Sequence, residues 1–154
     1  MCQVDFSAAV LRAARDEGMH TALDTSGYAP WDDYEKVIPF VDLVLYDFKH
    51  ADSEAHRIYT GVPNELIREN LARIDGRAVP IEVRIPVIPG INDARENIEA
   101  TCRFLAGLAH VQRVTLLPYH AFGASKYARI GRACRLDGRA PPSQQRMEEV
   151  AGWI

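Results

Sequence analysis

Four short apolar runs, separated by segments with apolar residues at helical spacing, constrain the fold of this chain more than any other feature. None of the runs alternates with polar residues, and continuous apolar runs are typical of parallel strands that are covered on both faces. Right-handed crossovers place such strands side by side in one sheet. The predicted strands are 19–24, 42–49, 80–87 and 111–117.

Six further segments carry apolar residues at the spacing of a helix that packs on one face. Asn64 is the predicted N-terminal cap of one helix, and Asn92 or Asp93 is the predicted cap of another. The predicted helices are 5–17, 31–38, 53–59, 64–74, a segment that follows the 92–93 cap and ends near 108, and a last helix from about 143. The alternation of strand and helix predicts an α/β fold of parallel βα units.

Length and composition narrow the possible classes of protein. The 154 residues suit a single domain over 1–154, whereas a complete eight-unit (β/α) barrel needs roughly 250. A net charge of −3 argues against nucleic-acid binding, which favours a basic face, and no run has the ~18 apolar residues of a membrane helix. The three cysteines, Cys2, Cys102 and Cys134, are widely spaced, so we expect reduced thiols. These residues show no secretory leader, so we expect a cytoplasmic location.

Polar residues at the ends of all four predicted strands are the main functional signal. In parallel α/β folds the carboxyl ends of the strands meet at one edge, where the following loops form the binding site. We therefore expect these side chains to lie close together. They are Asp24, Thr25 and Ser26 in the first unit, Asp47 and Lys49 in the second, Arg84 in the third and His120 in the fourth.

Two of these strand ends carry carboxylates whose role the residues alone leave open. Asp47 and Lys49 are two positions apart on a strand, so their side chains share a face and either bind a zwitterion or form a solvated ion pair. Asp24 either accepts hydrogen bonds from the turn that follows it or converges with Asp47 as an oxygen ligand for a hard cation.

The other two strand ends carry nitrogen groups. Arg84 interrupts an apolar stretch, and a buried guanidinium needs a carboxylate partner or the open end of the sheet. If Arg84 has a purely structural role, its partner is Glu82, two residues earlier on the same face. If it has a functional role, it binds a ligand carboxylate or an incoming polypeptide. His120 is either an ordinary loop residue or part of the site. The five histidines show no HxH or HExxH spacing, so a histidine-rich metal site is not predicted.

Six short segments extend this signal along most of the chain. They are TALDTSGY (21–28), DLVLYDFK (42–49), HRIYTGV (56–62), VRIPVIPGIND (83–93), LLPYH (116–120) and GASKY (123–127). In this order they resemble the C-terminal part of glycyl-radical-enzyme activating enzymes, a family of the radical S-adenosylmethionine (SAM) superfamily typified by pyruvate formate-lyase activation. Six collinear matches are far more specific than any single one.

The resemblance implies a partial, open (β/α) barrel of about four parallel βα units, the C-terminal portion of a six-unit barrel. It implies a SAM site and, beside it, a monovalent-cation site. The residues that it places at SAM are Asp47, Lys49 and His120, with Arg84 and Pro86 near both cofactor and incoming peptide. The residues that it places at the cation are Asp24, Thr25 and Asp47. The segment 123–127 receives no role.

The resemblance also implies an activity and a partner. In this family a reduced [4Fe–4S] cluster cleaves SAM, and the radical that forms removes a hydrogen atom from a glycine of a glycyl-radical enzyme such as pyruvate formate-lyase. The 154 residues contain neither the CxxxCxxC motif that holds the cluster nor the GGE motif that follows it. We therefore expect no iron–sulfur ligands and no catalytic residue in this chain, a missing N-terminal part, and no activity of the chain alone.

Three further expectations stay open at this stage. A non-catalytic module that binds a glycyl-radical enzyme is the alternative function. A hydrolase with a divalent metal held by Asp24, Asp47 and His120 is a weaker third. Loss of the preceding strands would leave the first strand as an exposed edge with an uncovered apolar face, so we expect the chain to pair with the missing half or with another chain.

Overall fold

A four-stranded parallel sheet with the order β1-β2-β3-β4 forms the centre of the computed structural model. The model describes residues 3–121, 129, 131, 136 and 138–154. The strands are β1 (Ala22–Thr25), β2 (Leu43–Asp47), β3 (Ile81–Val87) and β4 (Val111–Pro118). The predicted parallel α/β fold is confirmed, with the strands in chain order. Cys2, Cys134 and the segment 123–127, which the sequence analysis names, lie outside the described residues.

Helices connect and cover the strands where the spacing of apolar residues predicts them. They are α1 (Val4–Asp16), α2 (Trp31–Val37), α3 (Ser53–Thr60), α4 (Glu65–Asp75), α5 (Arg95–Leu105) and α6 (Gln144–Ala151), and a single 3₁₀ turn (Ile38–Phe40) follows α2. Gly61 ends α3 in the left-handed conformation at φ 91°, as is common for glycine after a helix. None of the described helices has the length and apolarity that a membrane span requires.

The core lies between one face of the sheet and the helices. On β3 buried and half-buried residues alternate, so only one face is fully covered. This differs from the sequence prediction of strands buried on both faces, because the second face carries polar side chains and stays partly open. The fully buried strand residues are Val44, Tyr46, Ile81, Val83, Ile85 and Val87, and the helices add Leu71, Ile74, Ile98 and Val150.

One predicted helix cap is right in position only, and the other is wrong. Asn64 stands at the N-terminal position of α4 but makes no capping bond, and its amide binds the carbonyls of His50 and Ala51. Ala94, not Asn92 or Asp93, precedes α5. Asn64 and Asn92 bind distant backbone instead, whereas Asp93 accepts from the Gly90 amide and from the Arg146 side chain.

One side of the described sheet ends at β1, whose Ala22 is exposed. On the neighbouring α1, the side chains of Phe6 and Val10 are 67% and 49% exposed. Both residues lie four positions apart on a helix and therefore on one face. In the described part of the chain β1 is thus an edge strand, as the sequence predicts, and α1, which contacts α2 and the 3₁₀ turn, exposes two apolar side chains on one face.

Candidate functional site

The register of the sheet brings the predicted carboxylates and the arginine to one face. Asp24 is paired with Leu45, and Asp47 is paired with Arg84. Because side chains alternate between the two faces of a strand, Asp24, Asp47 and Arg84 all point away from the core that Val44 and Tyr46 help to form. They lie at the carboxyl ends of β1 and β2 and in the second half of β3, where a parallel sheet places its binding site.

Arg84 bridges the two carboxylates. Its Nη2 lies 2.5 Å from Asp24 Oδ1 and 2.8 Å from Asp47 Oδ1, and its Nε donates to the same Asp47 oxygen at 3.1 Å. The arginine side chain is 19% exposed, that of Asp47 is 29% and that of Asp24 is 63%. Burial lowers the pKa of Arg84, but hydrogen bonds to Asp24 and Asp47 outweigh it and raise the pKa above its ordinary value.

Lys49 adds a second cation to this cluster. Its Nζ is 3.5 Å from Asp47 Oδ2, so the Asp47 carboxylate interacts with Arg84 through one oxygen and with Lys49 through the other. The shared face predicted from the two-residue spacing is confirmed. We call Asp24, Asp47, Lys49 and Arg84 the rim cluster; its formal charges sum to zero.

Two structural alternatives from the sequence are wrong. Glu82 is not the partner of Arg84, because its Oε1 accepts a hydrogen bond of 2.6 Å from Thr115 on β4. Nor is Asp24 the hydrogen-bond acceptor of the following turn, since Thr25 Oγ1 accepts from the Gly27 amide at 3.1 Å. Asp24 is thereby left to Arg84. Arg84 therefore pairs with Asp24 and Asp47 from other strands and not with Glu82 of its own strand.

Thr25 does not join the rim cluster. Its hydroxyl lies 2.7 Å from the Tyr34 hydroxyl on α2, on the helix-covered side of the sheet, as the alternation of strand side chains requires. Burial raises the pKa of Tyr34, so this phenol stays protonated. The side chains of Asp24, Thr25 and Asp47 therefore do not converge, and Arg84 occupies the space between the two carboxylates. Within the described ranges, no three His, Cys, Asp or Glu side chains are placed to hold a metal ion.

His120 and Pro86 extend the same edge of the sheet. Pro86 lies on β3 two residues beyond Arg84 and is paired with Leu117 on β4. The Tyr119 amide donates to the Val87 carbonyl at 3.1 Å, so β4 continues beside β3 up to the residue before His120. The structure thus places His120 directly after β4, at the edge that carries the rim cluster.

A cleft of about 390 Å³ adjoins the rim cluster beyond the ends of β2 and β3. Lys49 and Pro86 line it on the cluster side. Burial lowers the pKa of His50, which also lines it. The other lining residues described are Ala55, His56, Tyr59, Thr60, Ile88, Ile91, Asn92 and Leu136. Three of these lining residues, His56, Tyr59 and Thr60, belong to the segment 56–62. The sequence analysis gives that segment no role in the site.

The arrangement suits one class of ligand. The rim cluster offers two carboxylates and two cations, which can bind the ammonium and carboxylate groups of an amino acid. The adjoining cleft mixes aliphatic, aromatic and imidazole side chains, which suits a larger body with an aromatic ring. A zwitterionic amino acid with a bulky substituent therefore fits this edge of the sheet.

Cys102 is the one free thiol among the described residues. It lies half-buried on α5, and desolvation raises the pKa of its thiol. A raised pKa disfavours the thiolate that binds metals. With no neighbouring cysteine in a CxxxCxxC spacing, Cys102 does not fit an iron–sulfur ligand.

Comparison with known proteins gives one consistent group of relatives. The chain is 44% identical over 149 residues to an isethionate sulfite-lyase activating enzyme of Oleidesulfovibrio alaskensis, covering 96% of this chain and 46% of that protein. It is 38% identical to a trans-4-hydroxy-L-proline dehydratase activating enzyme of Clostridioides difficile, covering 96% of this chain and 49% of that protein. The chain spans about half the length of these curated relatives. No family model matches it.

The solved structures point the same way. A crystallised domain of a pyruvate-formate lyase-activating enzyme from Bacteroides vulgatus superposes with a TM-score of 0.81 at 30% identity. The match covers 99% of this chain and 85% of that domain. The described sheet, its helices and their order therefore have a close counterpart among solved structures.

Proposed function

Because this chain belongs to the family of glycyl-radical-enzyme activating enzymes, we propose that its rim cluster and cleft bind SAM for the removal of a hydrogen atom from a glycine of a partner enzyme. The single observation that supports this most is that Arg84, Asp47 and Lys49 interact beside a cleft of about 390 Å³ that Lys49 itself lines. SAM is a zwitterionic amino acid with a bulky nucleoside, which is the class of ligand that this geometry suits.

Each residue of the proposed site has a distinct task. Lys49 offers its ammonium to the methionyl carboxylate, and Asp47 offers a carboxylate to the methionyl ammonium. Arg84 holds Asp47 in place through two hydrogen bonds. Pro86 lines the cleft, and His120 follows β4 at the same edge of the sheet. The cleft walls exclude water from the bound cofactor.

The bound cofactor, together with a [4Fe–4S] cluster, supplies one-electron chemistry that no side chain can perform. The cysteines at 2, 102 and 134 do not have the spacing of a cluster site. We therefore propose that the residues of the rim cluster and the cleft orient the cofactor and that this chain alone does not cleave it. After anaerobic iron and sulfide reconstitution, incubation with SAM and dithionite should release no methionine. A stoichiometric four-iron cluster with methionine release would contradict this.

A glycyl-radical enzyme is the proposed partner. The relatives carry the names of different targets, among them an isethionate sulfite-lyase and a hydroxyproline dehydratase. A pyruvate formate-lyase-like enzyme is one member of this class. A monovalent cation is not part of the proposal, because Arg84 lies between Asp24 and Asp47.

Replacing Lys49 by alanine is the direct test of the binding site. Removal of one charge-assisted hydrogen bond costs about 1.5–3 kcal/mol, so the affinity for SAM should fall at least about tenfold. Equilibrium dialysis of radiolabelled SAM against the chain measures this without iron. Lys36→Ala is the control, because Lys36 forms an exposed ion pair with Asp5 on α1. Equal affinity of the wild-type chain and the Lys49 variant would contradict the proposal.

A further inference from the structure

Three buried asparagines surround the loop that follows β2 and carries Lys49. Asn64, Asn92 and Asn97 are 2%, 1% and 9% exposed. They come from the residue before α4, the loop after β3 and the first turn of α5. Each of them bonds to backbone groups, and together they fix residues 49–51 from two sides.

The side chain of Asn92 is fully used. Its Nδ2 donates to the Lys49 carbonyl at 2.8 Å and to the Pro86 carbonyl at 2.6 Å. Its Oδ1 accepts from the Ile88 amide at 2.8 Å. The side-chain amide of Asn92 therefore joins the backbones of Lys49 and Pro86, and the cleft is lined by both of these residues.

The sheet itself cannot make this connection. The ladder between β2 and β3 ends where the Phe48 amide donates to the Arg84 carbonyl at 2.9 Å. Residues two apart on a parallel strand present their peptide groups to the same neighbour, so Pro86 would be the next to pair with β2. The carbonyls of Lys49 and Pro86 are both acceptors, so no ladder bond can join them directly. The two N–H groups of the Asn92 amide supply the donors that link them.

The other two asparagines hold this link in place. Asn97 Nδ2 donates to the Asn92 carbonyl at 2.7 Å, and its Oδ1 accepts from the Ala51 amide at 2.9 Å. Asn64 Nδ2 donates to the carbonyls of His50 and Ala51 at 2.8 and 3.0 Å. Hydrogen bonds from three buried amides to one short segment make that segment rigid.

We propose that Asn92 is a positioning residue of the SAM site, which sets the separation of Lys49 and Pro86 through their backbone carbonyls. The inference rests on the proposed function and adds a residue to it. Asn92 acts through Lys49 and Pro86 and needs no contact with the cofactor. A loop that is free to move in the unliganded chain would have to be ordered on binding, and this ordering would lower the affinity.

Asn92→Asp is the main test, and Asn70→Asp is its matched control. Asn70 is also fully buried, and its Nδ2 also donates to two backbone carbonyls, those of Gly27 and Ala29 at 2.8 Å each. Both substitutions remove two donors and bury a carboxylate. We expect the affinity for SAM to fall about tenfold for Asn92→Asp and less than about threefold for Asn70→Asp, at similar losses of stability.

The amide resonance of His50 supplies a readout that general destabilisation does not move. The Lys49 carbonyl and the His50 amide belong to one peptide group, so loss of the Asn92 bond should shift this resonance in the unliganded chain. Asn70→Asp should leave it in place. If Asn92→Asp does not fold, Asn92→Ala and Asn70→Ala form the second pair, since they remove the same donors without burying a charge.

The outcomes separate the inference from the function on which it rests. If the wild-type chain does not bind SAM, or if Lys49→Ala binds it equally well, the proposed function fails and the inference fails with it. If Lys49→Ala binds weakly but the Asn92 and Asn70 variants lose the same affinity and the His50 resonance does not move, only the role of Asn92 is overturned.

Discussion

Replacing Gly27 by alanine is expected to lower the free energy of unfolding by about 3–4 kcal/mol, a large part of the stability of a small domain. Gly27 has φ 80°, a left-handed conformation that costs other residues about 1–2 kcal/mol. A Cβ atom there would also collide with the Tyr46 hydroxyl. Tyr46 is fully buried and donates to the Ile67 carbonyl at 2.6 Å, so it cannot move away, and overpacking adds about 1–3 kcal/mol.

Urea unfolding of the variant measures this loss, and Gly18→Ala is its control. Gly18 has φ 73° and nothing within 4 Å of an added Cβ, so only the backbone term of about 1–2 kcal/mol applies. Equal losses for the two variants would show that Tyr46 yields and that the turn after β1 is less tightly packed than the structure has it.

Replacing Asp47 by alanine should affect both stability and ligand binding. The variant removes the Asp47 oxygen that accepts two hydrogen bonds from Arg84, and it removes the contact with Lys49. Because the Arg84 side chain is only 19% exposed, its unpaired N–H groups cost about 2 kcal/mol. The affinity for SAM should fall at least about 30-fold, because Lys49 and Arg84 both lose the group that orients them.

Asp24→Ala is the matched control for this prediction. Asp24 also binds Arg84, but its side chain is 63% exposed, and exposed ion pairs contribute roughly 0–1 kcal/mol. Urea unfolding gives the loss of stability of each variant, and equilibrium dialysis gives the loss of affinity for SAM. If Asp24→Ala were the more damaging substitution in both measurements, Asp47 would not be the centre of the rim cluster.

The sequence predicts the sheet well because burial and periodicity carry the information. The runs around Leu43–Asp47 and Ile81–Val87 are apolar and bounded by turn residues, and strands that follow one another in the chain usually lie side by side in the sheet. The first strand is shorter than predicted, since Met19 and His20 are exposed before β1 begins. The length of an apolar run does not predict where strand pairing begins, because pairing also requires a neighbouring strand at that position.

The convergence of Asp24, Asp47 and Arg84 is predictable because parallel strands end at a common edge. Their exact pairing is not. The spacing of Glu82 and Arg84 suggests an ion pair, yet Thr115 engages Glu82 from the neighbouring strand. Local spacing describes one strand, whereas the partner of a side chain on a sheet depends on the register between strands.

Asn92 shows why the remaining part of the site is hidden in the sequence. An asparagine before a helical segment predicts a cap, and the chain has Asn92 three residues before α5. Its hydrogen bond to the Lys49 carbonyl spans 43 residues. No local pattern encodes such a contact, which depends on how two loops meet at the edge of the folded sheet.

A titration of the isotope-labelled chain with SAM, followed by amide resonances, shows whether the rim cluster and the cleft bind SAM. We predict that the largest shifts lie at residues 47–51, 84–88 and 119–121, around the carboxyl edge of the sheet, and that they saturate. Shifts confined to the cleft before β2 and β3 that Arg15, Trp31 and Arg77 line, or no shifts at saturating SAM, would contradict it.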